Sequence, residues 1–222
     1  MAWSGSSDGY IDTVANLGPN VAGQTIKLRF RMGTANSGNN VSWRVDTISI
    51  STRACAPVAQ SAFSRKVHSG AGTFDIPLPL AGNVGVECRS GPAHQMIVNF
   101  ASLVTVGSAA VTSGTGSVGS FSVTGGQVTV NLTGVTNAQR ITVTLFGVNN
   151  GTSTGDVGVQ MGVLIGDTSG NGAINASDVT QTKARIGQTL TTANFRSDLN
   201  ESGSINSSDV SIIKSNTGHG LP

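Results

Sequence analysis

Two stretches of twelve residues, DTSGNGAINASD at 167–178 and DLNESGSINSSD at 198–209, lie 31 positions apart and share one polar skeleton. Each has Asp at position 1, an oxygen-bearing side chain at 3 and 5, Gly at 6, Ile at 8, Asn at 9 and Asp at 12. The register continues past the loops, with Val179 matching Val210, Lys183 matching Lys214 and Gly187 matching Gly218. So regular a duplication restricts the last quarter of the chain to two equivalent loops. Each leads into a short exit helix, read at 179–186 and 210–215. The first loop has no entering helix, because 157–165 is strand-like and Gly166 breaks it.

Hard divalent cations explain the spacing. Calcium takes six to eight oxygens at a flexible radius, and a twelve-residue loop turns alternate residues inward to supply them, with a backbone carbonyl at position 7 and glycine at the sharp turn. The donors so placed are Asp167, Ser169, Asn171, Ala173 (carbonyl), Asn175 and Asp178 in loop 1. In loop 2 they are Asp198, Asn200, Ser202, Ser204 (carbonyl), Asn206 and Asp209. Two calcium ions are the expectation. Each loop carries only two such carboxylates, which predicts modest affinity because affinity rises with ligand charge. A loop held by hydrogen bonds alone is the alternative. Glu201, at position 4, points away from the ligand set, and the isoleucines at position 8 are expected to meet across the two loops.

The segments GDTSGNGAINASDVTQTKARIG and NFRSDLNESGSINSSDVSIIKSNTG resemble the dockerin type I family, in which two such loop-helix units stand in tandem. That resemblance implies a calcium-stabilised, secreted bacterial module that docks onto a cohesin domain. It implies recognition through loop positions 10 and 11 and the exit helices, here Ala176, Ser177, Ser207 and Ser208 with Lys183, Ala184, Lys214 and Ser215. Near-equivalent repeats further imply two binding orientations related by half a turn. Ser169 and Ser202 depart from the Asp or Asn usual at loop positions 3 and 5.

Upstream, the pattern is that of strands. Thirty glycines and 11% charged residues describe turns and short strands. Between 61 and 163 apolar residues alternate in runs: Phe74, Ile76, Leu78 and Leu80, with Pro77 and Pro79 marking an edge; Met96, Val98 and Phe100; Phe121 and Val123; Val128, Val130 and Leu132; Ile141, Val143 and Leu145; Val157, Val159 and Met161. Gly125-Gly126 reads as a hairpin turn. Seven or eight short strands predict an immunoglobulin-like sandwich. Residues 54–60 read as a linker. Residues 1–53 read as a partial β segment similar to the closing strands of bacterial jelly rolls, with strands at 24–32 and 41–50 that cannot bury a sandwich core alone. The fold class is therefore mostly β: a sandwich, an N-terminal partial sheet, and a small helical calcium module at 164–222. Few residues separate the last strand from Asp167, so module and sandwich are expected to pack together.

Other functions find little support. Residues 1–163 hold nine Lys/Arg and six Asp/Glu, and 164–222 hold four and five, scattered without interleaved aromatics, so no nucleic-acid surface is read. No apolar run is long enough to span a bilayer. The six acidic residues of 1–163 form no evident catalytic pair, and His68, His94 and His219 are isolated, read as surface or hydrogen-bonded groups. No enzyme is expected. Trp3, Tyr10 and Trp43 are the candidates for sugar stacking, a lesser alternative. Cys55 and Cys88 are either one disulfide, contributing about 3–4 kcal/mol, or two thiols. Met1-Ala2-Trp3-Ser4 begins no signal peptide pattern. The expectation is a secreted or surface-exposed bacterial attachment protein whose partner is a cohesin-like domain or other copies of itself. A self-assembling fibre subunit, pairing through the open sheet edge of 1–53, is the runner-up.

Overall fold

The computed structural model describes residues 25–29, 48 and 56–222. The described residues 56–222 fall in one compact unit. Its strands are β1 (Ala59–His68), β2 (Gly72–Pro77), β3 (Val86–Glu87), β4 (His94–Phe100), β5 (Ser108–Ser113), β6 (Ser117–Thr124), β7 (Gln127–Thr133), β8 (Gln139–Asn149) and β9 (Thr154–Val163), followed by helices α1 (Ala176–Arg185) and α2 (Ser207–Asn216). One sheet runs β2-β1-β4-β7-β6 and the other β3-β9-β8-β5. All pairings are antiparallel except β3 with β9.

The alternating runs account for the core. Met96, Val98 and Phe100 from β4 and Val128, Val130 and Leu132 from β7 bury against Ile141, Val143 and Leu145 from β8 and Val159 and Met161 from β9. Period-two side chains leave each sheet one dry face, and two such faces close on each other. The β6–β7 hairpin turns at Gly125-Gly126, between Thr124 and Gln127, with Gly125 at φ 63°. A chiral residue is disfavoured at that φ.

Several elements differ from expectation. β1 begins at Ala59, inside the stretch read as linker, and lies between β2 and β4. Its buried face runs Ala62, Ser64, Lys66, His68, turning from apolar to polar along one strand. A hydrophobicity pattern misses such a strand because its inner side chains are covered by polar partners. β5 (SAAVTS) is similarly poor in large apolar groups. β2 ends at Pro77, and Leu80, placed on its core face from sequence, is 44% exposed. Residues 25–29 fall in a predicted half-buried strand, yet they have no regular secondary structure and all five are exposed. Alternation provides an apolar stripe but not the surface that must cover it. Ile48, in the other predicted strand, is likewise exposed and without regular structure; the remaining expectations for 1–53, with Trp3, Tyr10, Trp43 and Cys55, lie outside the described residues.

A second apolar cluster joins the sandwich to the C-terminal module: Ile76, Val86 and Cys88 pack with Leu164, Ile174, Phe195, Leu199 and Ile213. Backbone hydrogen bonds stitch the same boundary, from Leu164 N to Glu87 O (2.9 Å), Gly166 N to Cys88 O (3.0 Å), Ser90 N to Leu199 O (2.7 Å) and Ser69 N to Glu201 O (2.9 Å). The module is built onto the sandwich, as the short connection predicts. Among the described residues no helix is long and apolar enough to cross a membrane.

Candidate calcium-binding loops and docking surface

Each loop ends in a helix that it caps. Asn175 is the N-cap of α1: its side-chain oxygen accepts from Ser177 N (2.8 Å), and Asp178 accepts from Asn175 N (3.0 Å). Asn206 and Asp209 repeat this capping box on α2, with Ser208 N at 2.8 Å and Asn206 N at 2.9 Å. The helices therefore start at Ala176 and Ser207, three residues before the predicted starts. The Asn-x-x-Asp spacing carried that signal, and each cap contributes about 1 kcal/mol. Asn175 and Asn206, expected as ligands, thus turn their oxygens towards the helix ends.

The position-1 aspartates organise the loop backbones. In loop 1, Asp167 Oδ1 accepts from Ser169 Oγ (3.0 Å), Gly170 N (2.7 Å) and Asn171 N (3.1 Å), and Oδ2 accepts from Gly172 N (2.7 Å). Asp178 Oδ1 accepts from Ser169 N at 2.9 Å, so both carboxylates meet at Ser169. In loop 2, Asp198 Oδ1 accepts from Ser202 N (3.0 Å) and Oγ (3.3 Å), and Oδ2 from Gly203 N (2.8 Å). Asp209 Oδ1 accepts from Leu199 N (2.8 Å) and Asn200 N (3.3 Å). Asn171 and Asn200 turn their side-chain oxygens to Ala173 N and Ser202 N, and the Ser204 carbonyl accepts from Ser202 Oγ at 3.1 Å. The two repeats interlock after their helices: Gly218 N bonds Ile174 O and Gly187 N bonds Ile205 O, both at 3.0 Å. Both isoleucines are buried, but Ile174 packs in the cluster shared with the sandwich.

The donor chemistry fits a cation. Asp167, Asp178, Asp198 and Asp209 are fully buried; the loop 1 pair meets at Ser169, and in loop 2 the charge of Asp198 acts on Asp209. Burial, together with the charge of Asp198, pushes the Asp209 carboxyl above the ordinary aspartate range, so the loop 2 pair gains from an added positive charge. Among the described residues no three His, Cys, Asp or Glu side chains group as a metal site. Each loop accordingly offers two carboxylates, with hydroxyl, amide and carbonyl oxygens to complete the set.

Residues outside the predicted set support loop 2. His68 Nδ1 lies 2.7 Å from Asp198 Oδ2, and Lys66 Nζ lies 2.7 Å from both Glu201 Oε1 and Gly91 O. Arg89 binds both oxygens of Glu87, at 2.8 Å and 2.7 Å, and also reaches Phe74 O, Ser64 O and His68 Nε2 (3.2 Å). Burial opposes ionisation of Glu87, but the Arg89 guanidinium overrides it and holds the carboxyl down at about 2. His68 also stands edge-on to Phe74, which stacks on Phe195 at 5.1 Å. A Cβ at Gly203, already at φ 85°, would overlap the Ser69 carbonyl oxygen, so the sandwich touches loop 2 at its sharp turn. In sequence the signals were Lys66-x-His68 and Glu87-x-Arg89, charges two apart on strands of an otherwise neutral sandwich.

This cluster is structural in chemistry. Ser64 donates to Glu87, yet that carboxylate is spent on Arg89 and all three side chains are buried. Burial, then Lys66, pushes His94 down to about 4, and its buried Nδ1 has no partner among the described residues; this departs from the surface or hydrogen-bonded role expected. Burial pushes the Cys88 thiol up to about 11, an inert setting for sulfur. The docking residues read from sequence are Ala176, Ser177, Lys183, Ala184, Ser207, Ser208, Lys214 and Ser215. All of them are exposed, on the loop ends and the two helices.

No curated protein and no solved structure matches the chain. Residues 165–216, spanning both loops and both helices, match the family model of the Dockerin type I domain.

Proposed function

We propose that this chain is a secreted, non-catalytic attachment protein. Its C-terminal module docks a cohesin-like partner, and its sandwich, read as immunoglobulin-like, buttresses that module. One observation carries the reading: each duplicated loop buries a pair of carboxylates while leaving the eight docking residues exposed. Calcium, one ion per loop, would supply the positive charge that the buried carboxylates at positions 1 and 12 lack. The donors would be Asp167, Ser169, Asn171, the Ala173 carbonyl and Asp178, and their counterparts Asp198, Asn200, Ser202, the Ser204 carbonyl and Asp209. The equivalent caps of α1 and α2 support two docking orientations, because Ser177-Lys183 and Ser208-Lys214 sit at the same helix positions. Dockerin modules occur in extracellular cellulosome components, which supports an extracellular setting.

The test is capture of the full chain on immobilised cohesin domains, in millimolar calcium and in EGTA. Calcium-dependent capture by at least one cohesin is expected. Failure on every cohesin tested, with calcium present and the chain folded, would overturn the docking reading.

A further inference from the structure

Building on the calcium reading, we infer that the sandwich supplies loop 2 with an outer-shell ligand partner: His68 of β1 orients Asp198 for the metal. The direction of the proton follows from the neighbours. Arg89 Nη1 is a donor with no lone pair to offer, so His68 Nε2, 3.2 Å away, must accept. The ring proton then sits on Nδ1 and is donated to Asp198 Oδ2 at 2.7 Å. Arg89 is itself fixed by Glu87, through Nε and Nη2. The result is a buried chain, Glu87–Arg89–His68–Asp198, every member of which is closed to solvent.

The bond falls on the oxygen a metal can spare. Oδ2 of Asp198 also accepts from Gly203 N, the position-6 amide, whereas Oδ1 accepts only from Ser202. With Oδ2 held from outside the loop by His68, Oδ1 meets Ser202 of the loop itself, the arrangement by which outer-shell partners orient metal-ligating carboxylates. Lys66, the nearby cation, is engaged by Glu201 and Gly91 and does not compensate Asp198. Among the described residues loop 1 has no such partner: the Asp167 carboxylate is held by its own loop, and Arg196 reaches the backbone carbonyls of Asp167 and Thr168, both at 2.9 Å. His68 is therefore a positioning residue for one loop of the two, and loop 2 is the tighter site.

The test titrates the full chain with calcium calorimetrically, in an Asp167→Ala background so that loop 2 alone responds. His68→Phe keeps a ring beside Phe74 and Phe195 but loses the donor, whereas His68→Asn keeps a donor near the Nδ1 position and loses the ring. His68→Phe should weaken loop 2 by about 10–100-fold. His68→Asn should stay within a few-fold of histidine, and in an Asp198→Ala background neither change should affect loop 1. Equal affinity in the Phe variant, or equal loss in Phe and Asn variants, overturns the inference. A second readout needs no variant: nitrogen-15 NMR of the histidines should show the His68 proton on Nδ1, and a proton on Nε2 overturns the assignment. Absence of calcium binding by the unaltered chain would overturn the calcium reading and this inference with it. Calcium binding that ignores His68 overturns this inference alone.

Discussion

Loop 1 and loop 2 share a skeleton of Asp, Gly, Ile, Asn and Asp, the same capping box and the same positive-φ glycine at position 6. Their surroundings differ. Loop 1 satisfies its carboxylates from its own backbone and Ser169, with Arg196 lying along two of its carbonyls. Loop 2 leans on the sandwich through His68, Lys66, Ser69 and Ser90. A duplicated sequence thus specifies the loop twice, but the neighbouring domain decides what each copy is held by. Both copies reach the domain boundary through apolar side chains, Ile174 and Leu199, but loop 2 alone joins it through its carboxylate, and the helices of both remain available to a partner.

The difference breaks most sharply at Arg89. Arg89→Leu leaves the Glu87 carboxylate buried without its partner and frees His68 Nε2, so urea unfolding should show a loss of about 3–5 kcal/mol. Arg196→Leu on the loop 1 side removes only hydrogen bonds to carbonyls and should cost about 1–3 kcal/mol. Equal losses would mean that the two loops are supported alike.

Acid should act on the loop 2 side first. The unfolded chain protonates His94 near 6.5 and the folded one only near 4, so stability falls as the pH drops from about 6.5 towards 4, by roughly 3 kcal/mol in full. Glu87 follows: its stabilisation is present above about 4.5 and is lost as the pH falls through about 2. His94→Leu should remove the upper part of this loss, as measured by urea midpoints across the pH range. An unchanged profile would show that His94 is not the group responsible.

The smallest effect checks what the repeats share. Asn175→Ala and Asn206→Ala remove equivalent caps and should each cost about 1 kcal/mol, matched to within the error of thermal unfolding. A large difference would mean that the boundary reaches further into α2 than its cap geometry indicates.

The repeat made the module legible because spacing alone encodes a loop: oxygen donors at alternate positions, glycine where φ turns positive, and asparagine three residues before aspartate. The β4, β7, β8 and β9 strands were legible for a similar reason, since Val128-x-Val130-x-Leu132 can bury only one way. What sequence hid was the boundary. Ser64, Lys66, His68, Glu87 and Arg89 are buried polar groups: Lys66 and His68 pair with Glu201 and Asp198, more than a hundred residues distant, while Ser64, Glu87 and Arg89 pair with one another across neighbouring strands. Local periodicity carries no information about such pairing. Leu80 shows the converse, an alternation that continues after the strand itself has ended at Pro77.

Amide hydrogen exchange of the full chain, with calcium and with EGTA, tests the calcium reading most directly. The account predicts that calcium slows exchange within 167–178 and 198–209, more strongly in the second, while the β4–β7 ladder is unchanged. Identical protection of both loops in the two conditions would contradict it.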